Sequence, residues 1–318
     1  MKKLAVVAFG GNALLRDNQE GTIEQQEQNT TDTLENLIFL IRAGYDLVIT
    51  HGNGPQVGNI LLRNDAGEQL YNIPQMPVDI CVADSQGGIG YMIERMLRNV
   101  LNKHQIDKEV VTLVTMTVVD QEDPAFHEPV KRIGKIYNRE DADKLARKKG
   151  WIFKEEIKDI KGWRRAVPSP APVRIMNEKV IETLARQGTI VIATGGGGVP
   201  VYIDERKNIR PAEVVIDKDL ASALMAARIG ADEFYILTDV DYVYLNYKQP
   251  NQQIAEFLNY EDAMRYLEEG QFTEGSMAPK IRACLQFIKQ GGQKSVITEA
   301  TRLENKKYGT KITMEYED

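Results

Sequence analysis

Short, continuously apolar runs alternate along this chain with segments of helical periodicity. The clearest runs of strand length are LAVVAF at 4–9, DLVIT at 46–50, TIVIAT at 189–194 and EFYILT at 233–238. Between such runs, apolar residues recur at helical spacing, as at 32–43 and 218–229. Strands that are apolar throughout, rather than at every second residue, are typical of a parallel sheet with helices on both faces. The pattern therefore predicts an α/β fold with a mostly parallel central sheet.

The remaining elements follow the same alternation. The predicted strands are 110–119, 294–298 and 310–314. One helix is predicted around 89–101, another around 180–185 before the stop at Gly188, and two more in the C-terminal third. The chain carries no internal repeat and no low-complexity linker, so we expect a single unit over 1–318.

Charge and composition exclude several classes of protein. The 318 residues are 42% hydrophobic and 27% charged, which is typical of a globular chain. The net charge of −6 argues against a nucleic-acid partner, because such proteins carry a basic excess. Cys81 and Cys284 are far apart and form no C-x-x-C pair, so neither a zinc site nor a disulfide framework is predicted. No run approaches the roughly 18 apolar residues of a membrane span, and we expect a cytoplasmic protein with no membrane partner.

Three of the apolar runs end in glycine-rich turns. These are AFGGNA at 8–13, THGNGPQVG at 50–58 and ATGGGGVPV at 193–201. Ligands of parallel sheets bind beyond the carboxyl ends of the strands. Glycine there lets backbone N–H groups approach a ligand, and clustered N–H groups bind anions. The spacing matches neither the dinucleotide motif G-x-G-x-x-G nor the lysine-containing P-loop, so an anionic ligand is predicted without either motif.

Two lysines at predicted helix starts are placed to bind the same anionic ligand. Lys218 directly follows Asp217, and Lys280 follows Gly275 and Pro279. A lysine at a helix start runs against the helix dipole, so a bound anion would explain its place, although a solvated lysine remains the alternative. We expect Asp217 to hold Lys218 and Lys280 by charge-assisted hydrogen bonds rather than to act as a base. Many glycines, a few lysines and no activated nucleophile together favour phosphoryl transfer.

Acidic and aromatic residues follow one predicted strand in TDVDYVYLNY at 238–247. The acids can orient lysines or act through Mg²⁺. An aromatic side chain there can flank a purine ring, with ordinary packing as the alternative for most of the tyrosines.

A basic segment interrupts the alternation of strands and helices. Between Lys131 and Arg165 there are 13 Lys/Arg and 6 Asp/Glu, together with both tryptophans, Trp151 and Trp163. The segment is interpreted as an inserted lid or subdomain. A solvated helical face and an RNA-binding patch remain the alternatives.

The motifs taken together resemble those of the carbamate kinases of the amino-acid kinase fold family. The resemblance is carried by GGNAL (10–14), HGNGPQVG (51–58), DPAF (123–126), VPSPAP (167–172), TGGGGVPV (194–201), IDKDLASALMA (216–226), TDVDYVYLNY (238–247) and GSMAPK (275–280). It implies a three-layer α/β/α sandwich with a protruding lid subdomain at 123–166, and a homodimer. It also implies the reversible Mg²⁺-dependent reaction ATP + carbamate ⇌ ADP + carbamoyl phosphate. Members of this family usually make ATP in arginine fermentation.

The resemblance also implies roles for individual residues. The implied catalytic residues are Lys131, Lys218, Lys280 and Asp217. Those implied to bind carbamate or the transferred phosphoryl group are Gly10, Gly11, Asn12, Gly52, Asn53 and Gly54. Those implied to bind ATP or ADP are Gly195, Gly196, Gly197, Asp239, Tyr244, Met277, Ala278 and Lys280. The acceptor half is expected at about 1–210 and the nucleotide half at about 211–318, with Mg²⁺ held mainly by the nucleotide phosphates.

Three positions bear on the subfamily. Ala8 stands where relatives such as acetylglutamate kinase carry a lysine, which favours carbamate as substrate and gives the compensating charge to Lys131. Arg132 and Ala278 replace the usual Pro and Gly of the family, and Ala278 is expected to narrow the nucleotide side of the pocket.

Three alternative functions remain. They are another acyl-phosphate-forming kinase of this fold, an enzyme that makes carbamoyl phosphate, and a nucleotide-binding regulator without turnover. Four retained residues speak against the regulator: Lys131, Asp217, Lys218 and Lys280.

Overall fold

The computed structural model describes residues 2–16, 19–156, 161–303 and 308–316. Its strands are β1 (Leu4–Phe9), β2 (Asp46–His51), β3 (Val110–Thr112), β4 (Met116–Val119), β5 (Lys131–Tyr137), β6 (Ile152–Glu155), β7 (Trp163–Val167), β8 (Pro172–Ile175), β9 (Ile190–Ile192), β10 (Val199–Ile203), β11 (Ile209–Pro211), β12 (Glu233–Thr238), β13 (Val243–Leu245), β14 (Gln253–Ala255), β15 (Phe257–Asn259), β16 (Lys294–Glu299) and β17 (Thr310–Thr313). Its α-helices are α1 (Ile23–Glu35), α2 (Ile38–Arg42), α3 (Gly54–Tyr71), α4 (Val78–Lys103), α5 (Arg139–Lys149), α6 (Glu178–Arg186), α7 (Lys218–Arg228), α8 (Tyr260–Glu268) and α9 (Met277–Lys289).

A central sheet of eight strands organises the molecule. Its order is β15-β17-β16-β12-β1-β2-β9-β3, and all neighbours are parallel except β16 and β17. Helices α1, α2 and α4 cover one face, where Leu34 and Ile93 are buried. Helices α6 to α9 cover the other face, where Leu224 and Ile281 are buried. The predicted three-layer α/β fold with a mostly parallel sheet is confirmed.

The central position of β1 determines where the glycine turns meet. All six of its residues are buried, and it pairs in parallel with β2 and β12. Strands β1, β2, β9 and β12 therefore end at the same edge of the sheet. The turns that follow them, at Gly10, Gly52 and Gly195, and the segment after Thr238 leave from that edge.

Several predicted elements have other bounds in the structure. The predicted strand 110–119 is two strands in different sheets, because the Gln86 side chain binds both the N–H and the C=O of Thr115 and interrupts the ladder. Helix α1 begins at Ile23 instead of 32, where Thr22 and Gln25 form a capping box before a polar first turn. Helix α3 was not predicted, since its sequence is only slightly amphipathic and one of its residues, Val57, is buried.

Three smaller sheets accompany the central one. Strands β11-β10-β4-β8 form one, β13 and β14 form a hairpin, and β5-β7-β6 form an antiparallel sheet beside α5. The last of these contains the basic segment, where Arg139 stacks on Trp163 and Arg165 on Trp151. The segment is thus a small folded unit instead of a bare helical face. None of the helices in the described ranges is long and apolar enough to span a membrane.

Candidate active site

A cavity of about 810 Å³ lies at the carboxyl edge of the central sheet. It is lined by residues from the strand ends, from the starts of three helices and from β5. Of the residues predicted for the site, those that line it are Gly10, Gly11, Gly52, Asn53, Gly54, Lys131, Gly196, Asp217, Lys218, Asp239, Tyr244, Met277 and Lys280. The side chain of Asn12 is outside the part of the chain that the structure describes.

Asp219 joins the two helix-start lysines at the floor of this cavity. Its Oδ1 lies 2.5 Å from Nζ of Lys218 and its Oδ2 lies 2.9 Å from Nζ of Lys280. The Asp219 side chain is 5% exposed, so these are charge-assisted hydrogen bonds within a nearly buried triad. Asp219 was not among the predicted site residues.

The charges of this triad depend on one another. Burial opposes ionisation of Asp219, but Lys218 and Lys280 outweigh it and lower the pKa of the carboxyl to about 2. Burial likewise opposes the charged form of Lys280, and the attraction of Asp219 raises its pKa. Burial lowers the pKa of Lys218, with the nearby charge of Lys280 acting in the same direction. The floor of the cavity is therefore a fixed carboxylate that holds two amino groups towards the ligand space.

Asp217 has a different role from the one predicted. Its carboxylate accepts hydrogen bonds from the N–H groups of Asp219 and Leu220 and so caps α7. Its Oδ2 lies 3.8 Å from Nζ of Lys131. The prediction that Asp217 holds Lys218 and Lys280 is wrong, because a residue directly before a helix caps the helix while Asp219, in the first turn, reaches the lysines.

The turns after β1 and β2 lie close to their neighbours, and the turn after β1 leaves no room for a Cβ. A Cβ on Gly10 would lie 2.3 Å from the carbonyl oxygen of Leu237, at the end of β12. A Cβ on Gly52 would lie 3.2 Å from Cδ of Lys218. Glycine at these positions therefore lets the two turns pack against β12 and the aliphatic part of Lys218 while keeping the cavity open.

Helix α3 begins at the cavity without a side-chain cap. Asn53 occupies the capping position and makes no capping hydrogen bond, and Pro55 stands in the first turn. The first turn of α3 thus presents backbone N–H groups to the cavity wall formed by Asn53 and Gly54. Such a helix start is suited to binding an anion.

The turn at Gly195–Gly197 packs against the end of β2 and the residues that follow it. A Cβ on Gly195 would lie 2.3 Å from Nε2 of His51, and one on Gly196 would lie 2.1 Å from Nδ2 of Asn53. Gly197 has φ +90° and would bring a Cβ within 2.9 Å of the Ile216 carbonyl oxygen. Only Gly196 of the three lines the cavity. The turn follows β9, which lies next to β2 in the sheet, and the contact of Gly195, Gly196 and Gly197 with the nucleotide stays a prediction.

A buried polar layer supports these turns and was not predicted. His51 is 2% exposed, and its Nδ1 lies 2.8 Å from the carbonyl oxygen of Gly52, to which it donates in the neutral ring. Burial, together with the nearby Lys218, lowers the pKa of His51 to about 4. Asn53 Nδ2 donates to Ser85 Oγ on α4 at 2.8 Å. Asn53 and Ser85 are 32 residues apart in sequence, so no local signal identifies this pair.

The opposite end of the cavity is aromatic and acidic. Tyr244 lines it, and the phenol donates to Asp241 at 2.9 Å. Asp239 and Met277 line the same end. Ala278 does not: it is fully buried in the core, and its N–H binds the carbonyl of Thr273. Ala278 thus cannot narrow the pocket by its own side chain, contrary to expectation.

Metal-binding side chains are not clustered anywhere in the described ranges, since no group of three or more His, Cys, Asp or Glu is arranged to hold an ion.

Comparison with known proteins identifies relatives over nearly the whole chain. Residues 3–299 match the amino acid kinase family. The carbamate kinase of Pyrococcus horikoshii is 46% identical over 98% of this chain and 100% of its own length. The carbamate kinase of Trichomonas vaginalis is 42% identical over 92% of this chain and 93% of its own length. The structure of Giardia lamblia carbamate kinase bound to AMP-PNP superposes with a TM-score of 0.92 at 39% identity, covering 98% of each chain.

Proposed function

This chain belongs to the carbamate kinases of the amino acid kinase family, and from that premise we propose how its cavity transfers a phosphoryl group between ATP and carbamate. The enzyme is a phosphotransferase with a carboxyl-group acceptor. The observation that carries the proposal is the Lys218–Asp219–Lys280 triad in the cavity, with Lys131 of β5 lining the same cavity beside Asp217. Three cations thus surround a space that two anionic substrates must share.

The residues divide the cavity into two ends. Gly10, Gly52 and the start of α3 form the acceptor end, where backbone N–H groups bind carbamate or the transferred phosphoryl group. Asp239, Tyr244 and Met277 form the nucleotide end, with the adenine ring beside Tyr244. This division supports an acceptor half of about 1–210 and a nucleotide half of about 211–318. Lys218 and Lys280 both belong to the nucleotide half, and in this proposal their amino groups lie where the acceptor end and the nucleotide end of the cavity meet.

The reaction needs no general base. An ionised oxygen of carbamate attacks the terminal phosphorus of ATP, the new O–P bond forms, and the bond from phosphorus to the bridging oxygen of ADP breaks. Negative charge on the transferred group is balanced by Lys131, Lys218 and Lys280. Asp219 keeps two of these lysines oriented. The site therefore needs little reorganisation when negative charge develops in the transition state.

The three-stranded sheet with α5 acts as the lid in this proposal. Lys131 is the first residue of β5 and lines the cavity, while Lys135 on the same strand binds Asp65 of α3 at 2.7 Å. Arg164 of β7 fixes the carbonyl of Gly134 by two hydrogen bonds of 2.9 and 3.0 Å. These contacts hold β5 over the cavity, which excludes water from a reactive acyl phosphate.

Asp239 suits a Mg²⁺–nucleotide complex. It lines the nucleotide end, and Mg²⁺ is bound through one or two carboxylates together with substrate phosphates. The ion would be held mainly by the nucleotide phosphates, with Asp239 nearby, and when bound it would neutralise phosphate charge. Lys280 faces the same phosphates, so the protein and the ion would share this task.

The decisive experiment is a coupled assay that measures ATP made from ADP and carbamoyl phosphate. Turnover with Mg²⁺, and none with N-acetylglutamyl phosphate, is expected. Preference for another acyl phosphate would favour a different kinase of this fold. Nucleotide binding without turnover would favour a regulatory protein.

The cellular role follows the usual direction in the family, which is ATP synthesis in the cytoplasm during arginine fermentation. The resemblance to carbamate kinases supports this part of the proposal. Deletion of the gene in the source organism should abolish ATP formation that depends on added arginine. Unchanged ATP formation would place the enzyme in another pathway.

We also propose a homodimer, as the resemblance implies. Exposed apolar side chains lie close together in sequence at the end of α3 and in the segment before α4, with Leu70 at 71% and Tyr71 at 73% exposure and Ile73 and Met76 also exposed. A second copy of the chain is the occupant that this surface would bind. Light scattering should give a molar mass twice that of the 35.9 kDa chain. In Tyr71→Asp the measured mass should move towards that of the monomer.

A further inference from the structure

We propose that the side-chain oxygen of Asn53 accepts a hydrogen bond from the amino group of carbamate and so selects carbamate over carboxylates of the same shape. This inference rests on the proposed function. Asn53 lines the acceptor end of the cavity and is 6% exposed. The glycine turns supply donors for the carboxylate oxygens of the substrate, so its amino group requires a separate partner.

The orientation of the Asn53 amide is fixed by hydrogen-bond chemistry. Ser85 Oγ lies 2.6 Å from the carbonyl oxygen of Val82, and a carbonyl can only accept, so the single hydroxyl proton of Ser85 points to Val82. Towards Asn53, at 2.8 Å, Ser85 Oγ can therefore only accept. The amide must turn its NH₂ group to Ser85.

The Asn53 oxygen is then directed to the cavity. Among the described residues, no donor forms a hydrogen bond with Asn53 Oδ1, although Asn53 Nδ2 is bonded. The amide lies flat against Gly196, where a Cβ would come within 2.1 Å of Nδ2 and 2.7 Å of Oδ1. Glycine at 196 thus keeps this amide in place with its oxygen free to accept.

Asn53 does not use its side chain for the local role that its position favours. Asparagine at the residue before a helix normally accepts from the first-turn N–H groups, which stabilises the helix. Asn53 makes no such bond to α3. A side chain that forgoes capping to be held by Ser85, 32 residues away, is placed for another partner.

The chemistry of the substrate matches this acceptor. Carbamate carries an NH₂ group whose lone pair is delocalised, so that group only donates. Around it, Lys131, Lys218 and the first-turn N–H groups of α3 also only donate. Acetate has a methyl group in place of NH₂, and its binding would leave the Asn53 oxygen desolvated without a partner. Sites that are built to bind a substrate N–H discriminate strongly against analogues that lack it.

The test compares carbamoyl phosphate with acetyl phosphate as phosphoryl donors to ADP, measuring kcat/KM for each. In Asn53→Ala, kcat/KM for carbamoyl phosphate should fall about 10²–10³-fold while that for acetyl phosphate changes less than about tenfold. The ratio between the two donors should therefore collapse. A parallel fall for both donors, with the ratio kept, would mean that Asn53 only shapes the turn and would overturn the inference.

Ser85→Ala is the second variant, because Ser85 lies behind Asn53 and does not line the cavity. It leaves the Asn53 side chain intact but removes the acceptor that orients its amide, so the donor ratio should fall by about tenfold. Thermal unfolding verifies that each variant is folded. If Asn53→Ala does not fold, the ratio of kcat/KM for the two donors in Ser85→Ala is the deciding measurement. An unchanged donor ratio in that variant overturns the inference. Wild-type enzyme inactive with carbamoyl phosphate would overturn the proposed function itself, whereas an active wild type with unchanged ratios in the variants overturns only the role of Asn53.

Discussion

The amino group of Lys131 lies 3.8 Å from Oδ2 of Asp217, so the first residue of β5 reaches the residue that caps α7. The Lys131 side chain is 44% exposed, whereas those of Lys218 and Lys280 are 18% and 16% exposed and share Asp219. Of these three cations, Lys131 is thus the one held least by the protein. Its position over the cavity is the part of the site that substrate binding can most readily change.

Replacement of Lys131 by alanine should lower kcat in the ATP-forming direction by about 10²–10³-fold, the scale for loss of one group that stabilises transition-state charge. Lys135→Ala is the matched control on the same strand, because Lys135 binds Asp65 and does not line the cavity. It should change kcat by less than about tenfold. Equal losses in the two variants, or none in either, would remove the special role of Lys131.

Replacement of Asp219 by asparagine should reduce both activity and stability, because it leaves two nearly buried amino groups without their carboxylate. Breaking a buried ion pair in this way costs about 3–5 kcal/mol of unfolding free energy. Asp217→Asn retains an oxygen that can cap α7, so its unfolding free energy should fall by less than about 1 kcal/mol. Urea unfolding and kcat are measured for both. A larger loss in Asp217→Asn would reverse the two assignments.

The buried imidazole of His51 should make stability depend on pH between about 6.5 and 4. Its pKa is lowered from 6.5 to about 4 in the folded chain, so the unfolded chain binds a proton first as the pH falls. Its contribution is complete above pH 6.5 and is lost as the pH falls to about 4, amounting to about 3 kcal/mol.

The measurement compares urea unfolding of wild type and His51→Asn at about pH 7.5 and about pH 4. Carboxylates contribute to the pH dependence of both proteins. The contribution of His51 is therefore the loss of unfolding free energy in wild type minus the loss in the variant. Wild type should lose about 3 kcal/mol more than the variant. Identical losses would show that His51 has the same pKa in the folded and the unfolded chain.

Gly196→Ala should abolish most activity, since its Cβ would lie 2.1 Å from the Asn53 amide. Gly270→Ala is the control for backbone strain, because Gly270 has a similar φ of +71° and no atom within 4 Å of its would-be Cβ. Both variants should lose about 1 kcal/mol of stability from the left-handed conformation. Only Gly196→Ala should lose kcat/KM for carbamoyl phosphate, and full activity in that variant would separate the turn from substrate binding.

The buried sheet was predictable from the sequence because its strands are apolar throughout. β1, β2 and β12 have every or nearly every residue buried, so their composition alone identifies them. Strands β13 and β14 and helix α3 were missed because they are half-exposed and their sequences lack a clear period. Their conformation depends on contacts with distant segments.

The site was predictable to the level of its elements but not of its contacts. Glycine turns and helix-start lysines identified the cavity, since their local chemistry is unusual. To decide whether Asp217 or Asp219 holds the lysines, one must know the residue at which α7 begins. The preference of aspartate for the capping position identifies that residue. The bond between Asn53 and Ser85 joins α4 to the turn after β2, and only the fold brings those two residues together.

The uncapped start of α3 has a consequence for the enzyme's response to its substrate. Because Asn53 is turned to Ser85, we expect a bound anion to take the place of the missing cap. The first turn should therefore fray in the free enzyme and become ordered when ligand binds. Amide hydrogen–deuterium exchange at Gly54 and Gln56 should then slow on addition of carbamoyl phosphate, with little change at the far end of the helix near Tyr71. Helix α3 would thus report occupancy of the acceptor end through its own fraying equilibrium.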